Sequence, residues 1–148
     1  MPYISPLIRP IFDKIYIEAT YVGTRTDTST TLVCEKVRKA LDFFPIEQRD
    51  GCLNYFLTKI LLYLKDRRIV EEILRQLFVN EFFVEPSYFK LERATGLVSC
   101  LIAEFKQREE DWETPNFVKY LLDDFACRVE ISRQMYEKKK RRENGDMI

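Results

Sequence analysis

A chain of 148 residues with 46% hydrophobic and 32% charged residues holds enough apolar material for a hydrophobic core and too much for an intrinsically disordered segment. Lys plus Arg and Asp plus Glu each number 24. No global field therefore draws the chain to nucleic acid or to an anionic membrane, and any such binding needs a local patch. Histidine is absent, which excludes Ser-His-Asp and Cys-His catalysis within the chain and leaves carboxylate–Mg²⁺, Lys and Tyr chemistry.

Only four Gly and six Pro leave little material for tight turns and favour helices over a many-stranded sheet. Pro2, Pro6 and Pro10 bias their predecessors away from the helical region and predict an extended arm over residues 1–9. No charged region followed by an apolar run stands at the start, so a cytoplasmic chain without a signal peptide is expected. From Pro10 onward Ile11, Phe12, Ile15 and Ala19 recur at helical spacing, and Gly23 is a plausible stop. Residues 24–31, nearly all hydroxyl or charge, read as a loop whose Ser or Thr caps the next helix. That helix places Val33, Val37, Ala40, Leu41 and Phe44 on one face and ends at Pro45.

Residues 50–64 form the stretch around which the chain is organised. Apart from a narrow polar strip of Asn54, Thr58 and, further on, Lys65, most of its circumference is Leu, Ile, Phe and Tyr. A helix apolar nearly all round must be wrapped by other helices or lipid, and this one is too short and too interrupted to span a bilayer. Asp66 caps a following helix with Val70, Ile73, Leu74, Leu77 and Phe78 inward, and Glu85-Pro86-Ser87 breaks it, with Ser87 free to cap the next. Residues 88–109 carry Leu91, Ala94, Thr95, Val98, Leu101, Ile102 and Phe105 on one side. Gly96 in mid-helix costs about 1 kcal/mol against Ala and predicts close approach of a neighbour, the central rod being the expected one. After the acidic linker 109–113, Thr114-Pro115 starts a last helix with Phe117, Val118, Leu121, Leu122, Phe125 and Val129 inward, running into Lys138-Lys139-Lys140-Arg141-Arg142 and stopping at Asn144-Gly145. The expectation is an all-α fold: a compact single-domain bundle of five or six helices around a buried central helix, residues 1–148, with a C-terminal tail over 143–148.

Three blocks resemble a known family. Met1-Pro2-Tyr3-Ile4, Asp50-Gly51-x-Leu53-Asn54-Tyr55-x-x-Thr58-Lys59 and Tyr136-Glu137-x-Lys139-Lys140-x-x-Glu143-Asn144-Gly145-Asp146 are together similar to a domain-of-unknown-function family of small helical proteins from prokaryotes and their viruses. The family opens with M-P-Y-I, carries G-x-L-N-Y-x-I-T-[RK]-L and closes with Y-E-D-x-K-I-x-x-N-G-D-V-Y. The blocks cover about a quarter of the chain. Leu57, Lys138, Met147-Ile148 and extra residues around 109–128 depart from the pattern. The resemblance implies a cytoplasmic helical protein of prokaryotic or viral origin and supplies no activity.

Four features carry candidate chemistry. Asn54 and Thr58 could bind a ligand amide or phosphate, or could hydrogen-bond another helix and fix register. The acids Glu71-Glu72, Glu109-Glu110-Asp111 with Glu113, and Asp123-Asp124 with Glu130 bear on metal binding. All-α nucleotide hydrolases hold Mg²⁺ with E-x-x-E on one helix and E-x-x-D on the next. Glu110-x-x-Glu113 is the close match here and Pro115 removes it from a helix interior, so surface or capping acids are expected. The run Lys138 to Arg142, with Tyr136 to stack on a base, could hold nucleic-acid phosphates, or could simply complement a helix C-terminus. Eleven Phe and eight Tyr exceed what one core needs. Consecutive rings at Phe43-Phe44 and Phe82-Phe83 point to different faces, so one of each pair is expected at the surface, where it would suit self-association. Cys34, Cys52, Cys100 and Cys127 form no C-x-x-C and are expected to be small buried or half-buried thiols in a reducing compartment.

The functional expectation is a non-enzymatic protein-interaction or structural protein that self-associates or binds a protein partner, without cofactor, metal or membrane. The alternatives are a nucleic-acid-associated protein using the basic C-terminal helix and a Mg²⁺-dependent nucleotide hydrolase of all-α type.

Overall fold

The computed structural model of the protein describes residues 6–108 and 116–144. Among them the chain is all-α, with six α-helices, no strand and one isolated bridge between Val22 and Arg25. No helix of the described residues is long and apolar enough to cross a membrane. The chain divides into two compact units, Met1–Leu77 and Phe78–Ile148.

In the first unit, α1 spans Ile8–Ala19 and so takes in the last two residues of the expected arm. Pro10 falls in its first turn, where the backbone N–H has no helical partner to lose. Gly23 follows at φ 88°, the left-handed conformation that a residue without Cβ adopts freely. Helix α2, Thr30–Leu41, is capped by Ser29, whose hydroxyl accepts from the Leu32 N–H at 3.1 Å. Helix α3, Ile46–Tyr63, is the expected rod, and Cys52, Leu53, Phe56, Leu57, Thr58, Ile60, Leu61 and Leu62 are buried in it. Phe12 is fully buried and joins three elements, its ring 6.1 Å from Phe44 after α2 and 6.2 Å from Phe56 in α3. Helix α4, Arg67–Phe78, starts on Asp66, which accepts from the Arg68 and Ile69 N–H groups. Its inner residues Val70, Ile73, Leu74 and Leu77 are all buried. The Cys34 thiol donates to the Ile73 carbonyl at 3.8 Å, tying α2 to α4.

The second unit begins as α4 passes into a single π-helical turn, Val79–Phe83. Phe78 sits 5.4 Å from Phe82 and 5.2 Å from Phe125, a small aromatic cluster that is buried throughout. Glu85 then takes φ 49°, a conformation costing a residue with Cβ about 1 kcal/mol. The Lys90 ammonium steadies this turn by donating to the Val84 and Glu85 carbonyls at 2.9 and 3.2 Å. Ser87 caps α5, Tyr88–Arg108, through the Lys90 N–H. The Glu81–Arg93 ion pair, 3.1 Å long with side chains 16% and 9% exposed, is held between the π-turn and α5. Helix α6, Asn116–Glu143, packs on α5 with Val118, Leu121, Leu122, Phe125 and Val129 buried, and Asn144 closes it with an N–H to the Lys140 carbonyl.

Two expectations are corrected. Gly96 is solvent-exposed, and a Cβ there would meet nothing within 4 Å. No close neighbour requires the glycine, because the inner face of α5 runs through Leu97, Val98 and Leu101. Cys34 and Cys52 are buried, but Cys100 and Cys127 are exposed, since they lie off the inner faces of α5 and α6. The acidic linker, the Thr114-Pro115 helix start and the Gly145 stop lie outside the described residues.

Candidate functional site

Helix α3 displays two polar stripes side by side, each with i, i+4 spacing that stacks its members one turn apart. Asn54 and Thr58 form the first. The Asn54 Oδ1 and Thr58 Oγ1 atoms are buried and find no hydrogen-bond partner among the described residues. Thr58 is also the one buried polar residue of the described core. The expected hydrogen bond fixing register is thus not made by these atoms among the described residues.

Tyr55 and Lys59 form the second stripe. The Tyr55 hydroxyl donates to Asp13 Oδ1 at 2.5 Å, and the Lys59 ammonium donates to the same oxygen at 2.6 Å. The ammonium also lies 5.1 Å from the Tyr16 ring centre and 5.8 Å from that of Tyr55, and Tyr63 meets Tyr16 edge-on at 6.4 Å. Desolvation pushes the Asp13 carboxyl up, but the hydrogen bonds from Lys59 and Tyr55 and the Lys59 charge prevail and hold it below the usual aspartate value. Burial, then the Asp13 hydrogen bond, push Tyr55 up to about 12. An acid locked in its ionised form beside a phenol locked in its neutral form is poorly matched to proton transfer near neutral pH. The cluster ties α1 to α3. Sequence reasoning passed over Asp13, although it is the acid set among the apolar positions of α1, within reach of an i, i+4 Tyr–Lys pair.

The second unit holds the basic run. A cavity of about 540 Å³ is lined by Phe83, Pro86, Ser132, Met135, Tyr136, Lys138, Lys139 and Arg142. Its lining joins apolar Phe83, Pro86 and Met135 to cationic Lys138, Lys139 and Arg142. Of the residues expected to act together, Tyr136, Lys138, Lys139 and Arg142 are brought to this cavity, and Lys140 and Arg141 are not among its lining. Lys140 pairs with Glu143 at 3.3 Å and lies 5.6 Å over the Tyr136 ring. Among the described residues Lys138, Lys139, Arg141 and Arg142 make no ion pair. Tyr136 already meets Tyr88 edge-on at 4.8 Å, so stacking on a base would compete with an existing ring contact. In the sequence Phe83 stands out only as one of two consecutive rings and Pro86 only as a break, and Met135 not at all, since the π-turn that presents Phe83 has no periodicity to read.

Of the acids, Asp124 pairs with Arg128 at 2.9 Å, Glu130 with Arg133 at 3.4 Å and Glu72 with Arg75. Among the described residues no three Cys, Asp or Glu side chains converge as metal ligands would, and Glu110 and Glu113 lie outside those residues. Burial pushes the Cys34 thiol up to about 12 and the Cys52 thiol up to about 11, which keeps both un-ionised. Phe43 is 82% exposed beside a buried Phe44, as the consecutive-ring argument expects. Comparison with protein-family models, with curated proteins and with solved structures finds no match to this chain.

Proposed function

We propose that the chain acts by binding, as a non-enzymatic interaction protein that self-associates, and that its contact surface is the outer face of α6. The observation that supports this reading is the set of large apolar side chains on that helix opposite its buried face: Tyr120, Ile131 and Met135 are 71%, 55% and 66% exposed. A large apolar patch rimmed by charge is a common mark of a contact surface. The test is molar mass by light scattering across the micromolar range. A mass that climbs toward twice 17.8 kDa is expected, and a constant monomer mass would reject the reading.

The cations lining the cavity, which make no ion pair among the described residues, favour one second reading, association with nucleic acid. Its signature is binding to single-stranded RNA or DNA that weakens steeply with salt, with a slope that falls when Lys138 and Lys139 are changed to Glu. Two exposed free thiols suit a reducing compartment, and we place the protein in the cytoplasm of a prokaryote or of a cell infected by its virus.

A further inference from the structure

The outer stripe of α6 has an order that fits one partner. Positions 120, 124, 127, 131, 135, 138 and 142 follow one another at steps of four and three, and at 100° per residue all lie within about 40° of Ile131. The buried residues Leu122, Phe125 and Val129 lie on the opposite side. Tyr120, Asp124, Cys127, Ile131, Met135, Lys138 and Arg142 are all exposed. Cys127, Ile131 and Met135 occupy the centre, Asp124 the first half and Lys138 and Arg142 the second, with Asp123 and Lys139 beside the stripe on opposite flanks.

We infer that two copies of the chain pair through this face as an antiparallel α6–α6 contact, with the two-fold axis passing at Ile131. In that register Ile131 meets Ile131 of the second copy, and Cys127 meets Met135. Asp124 meets Lys138 with Lys139 on its own flank, Asp123 shares the other flank with Arg141, and Tyr120 meets Arg142. Each acid then faces cations, and every contact except the Ile131 pair on the axis occurs twice, as a two-fold interface requires. A parallel pair would set acid on acid and cation on cation, each like-charge contact being unfavourable. Steps of four and three are those of a helix–helix seam, and the seam from Tyr120 to Arg142 is about 33 Å long at 1.5 Å per residue. In this structure Asp124 pairs with Arg128 of its own helix, an exposed bond of little strength that leaves the carboxylate free to turn to a second cation. The cavity borders the seam through Met135, Lys138 and Arg142.

The inference rests on the self-association proposed above, and the experiment separates the two. In a Cys100→Ala background, Met135→Cys should cross-link to Cys127 of the second copy on mild oxidation and give a covalent dimer on a non-reducing gel. Within one chain, positions 127 and 135 are about 12 Å apart along the helix, too far for a disulfide. Adding Cys127→Ala should abolish the cross-link. A covalent dimer that persists without Cys127, or one that forms through Cys127 alone, means like positions meet and overturns the antiparallel register. By sedimentation equilibrium, Asp123→Lys/Asp124→Lys and Lys138→Asp/Lys139→Asp should each weaken the dimer on the order of thirtyfold. A chain carrying all four changes should regain it. Self-association untouched by these variants overturns the α6 contact and leaves self-association itself standing. A monomer under all conditions removes both. A monomer that binds RNA and loses that binding in Lys138→Asp/Lys139→Asp decides for the nucleic-acid reading. The substituted side chains are exposed, so unchanged helical circular dichroism checks that each variant folds.

Discussion

Helices α3 and α6 carry polar residues at the same helical spacing and use them in opposite ways. On α3, Tyr55 and Lys59 converge on one oxygen of Asp13, and the neighbouring Asn54 and Thr58 oxygens are closed off from solvent. On α6, beyond Val129 no residue is buried, and Lys138, Lys139, Arg141 and Arg142 stand in water. Burial turns a polar side chain into a constraint on the fold. Exposure leaves it available to something outside. The same contrast separates Cys34 and Cys52 from Cys100 and Cys127.

The largest effect that would break this comparison concerns apolar truncation. Phe56→Ala, fully buried on α3 and in contact with the Phe12 ring, should lose about 3–5 kcal/mol of stability in urea unfolding. Ile131→Ala on the outer face of α6 should change monomer stability by less than about 0.5 kcal/mol. Equal losses would mean that the two helices are not differently placed.

Thr58→Val sharpens the comparison in the other direction. The substitution keeps the shape and removes a buried hydroxyl with no partner among the described residues, so a gain of about 1 kcal/mol in urea unfolding is expected. A loss of similar size would show that the hydroxyl has a partner in the folded protein, bound water included.

Asp13→Asn removes the charge on which Tyr55 and Lys59 converge, and a loss of about 1 kcal/mol near neutral pH is expected for a half-buried carboxylate. The sign of the pH dependence follows from the carboxyl being held below its usual value in the fold. Its contribution is complete above the ordinary aspartate range and disappears as pH falls through and below it. The wild-type acid limb, followed by circular dichroism, should therefore be steeper than that of the variant. In the same variant Tyr55 should ionise more readily than at its native value of about 12. Identical acid limbs would remove the electrostatic account of the α1–α3 tie.

The smallest effect belongs to Gly96→Ala. An added Cβ meets open space on an exposed helix face, so the thermal midpoint should rise with a gain of about 0.5–1 kcal/mol. A drop would bring back the tightly packed neighbour that the sequence suggested.

The caps were readable at Ser29, Asp66 and Ser87, because a hydroxyl or carboxylate placed before an apolar run satisfies helix-start N–H groups using only residues close by in the chain. The inner faces of α2 and α4 and most of those of α5 and α6 were readable for a related reason: a 3.6-residue period is a local property of the chain. The Asp13–Tyr55–Lys59 cluster was not, since Asp13 is more than forty residues from the Tyr55–Lys59 pair and meets it only when α1 packs on α3. Nor was the cavity at Phe83, Pro86 and Met135, which depends on a π-turn with no sequence period.

What the sequence by itself determined is that the chain is helical, where most helices start and stop, and which side chains leave water. What only the tertiary structure decided is which polar groups are closed in, which thiols remain outside and which charges pair with one another. Periodicity and capping act over one or two turns, whereas solvation of a polar atom depends on what distant segments bring against it.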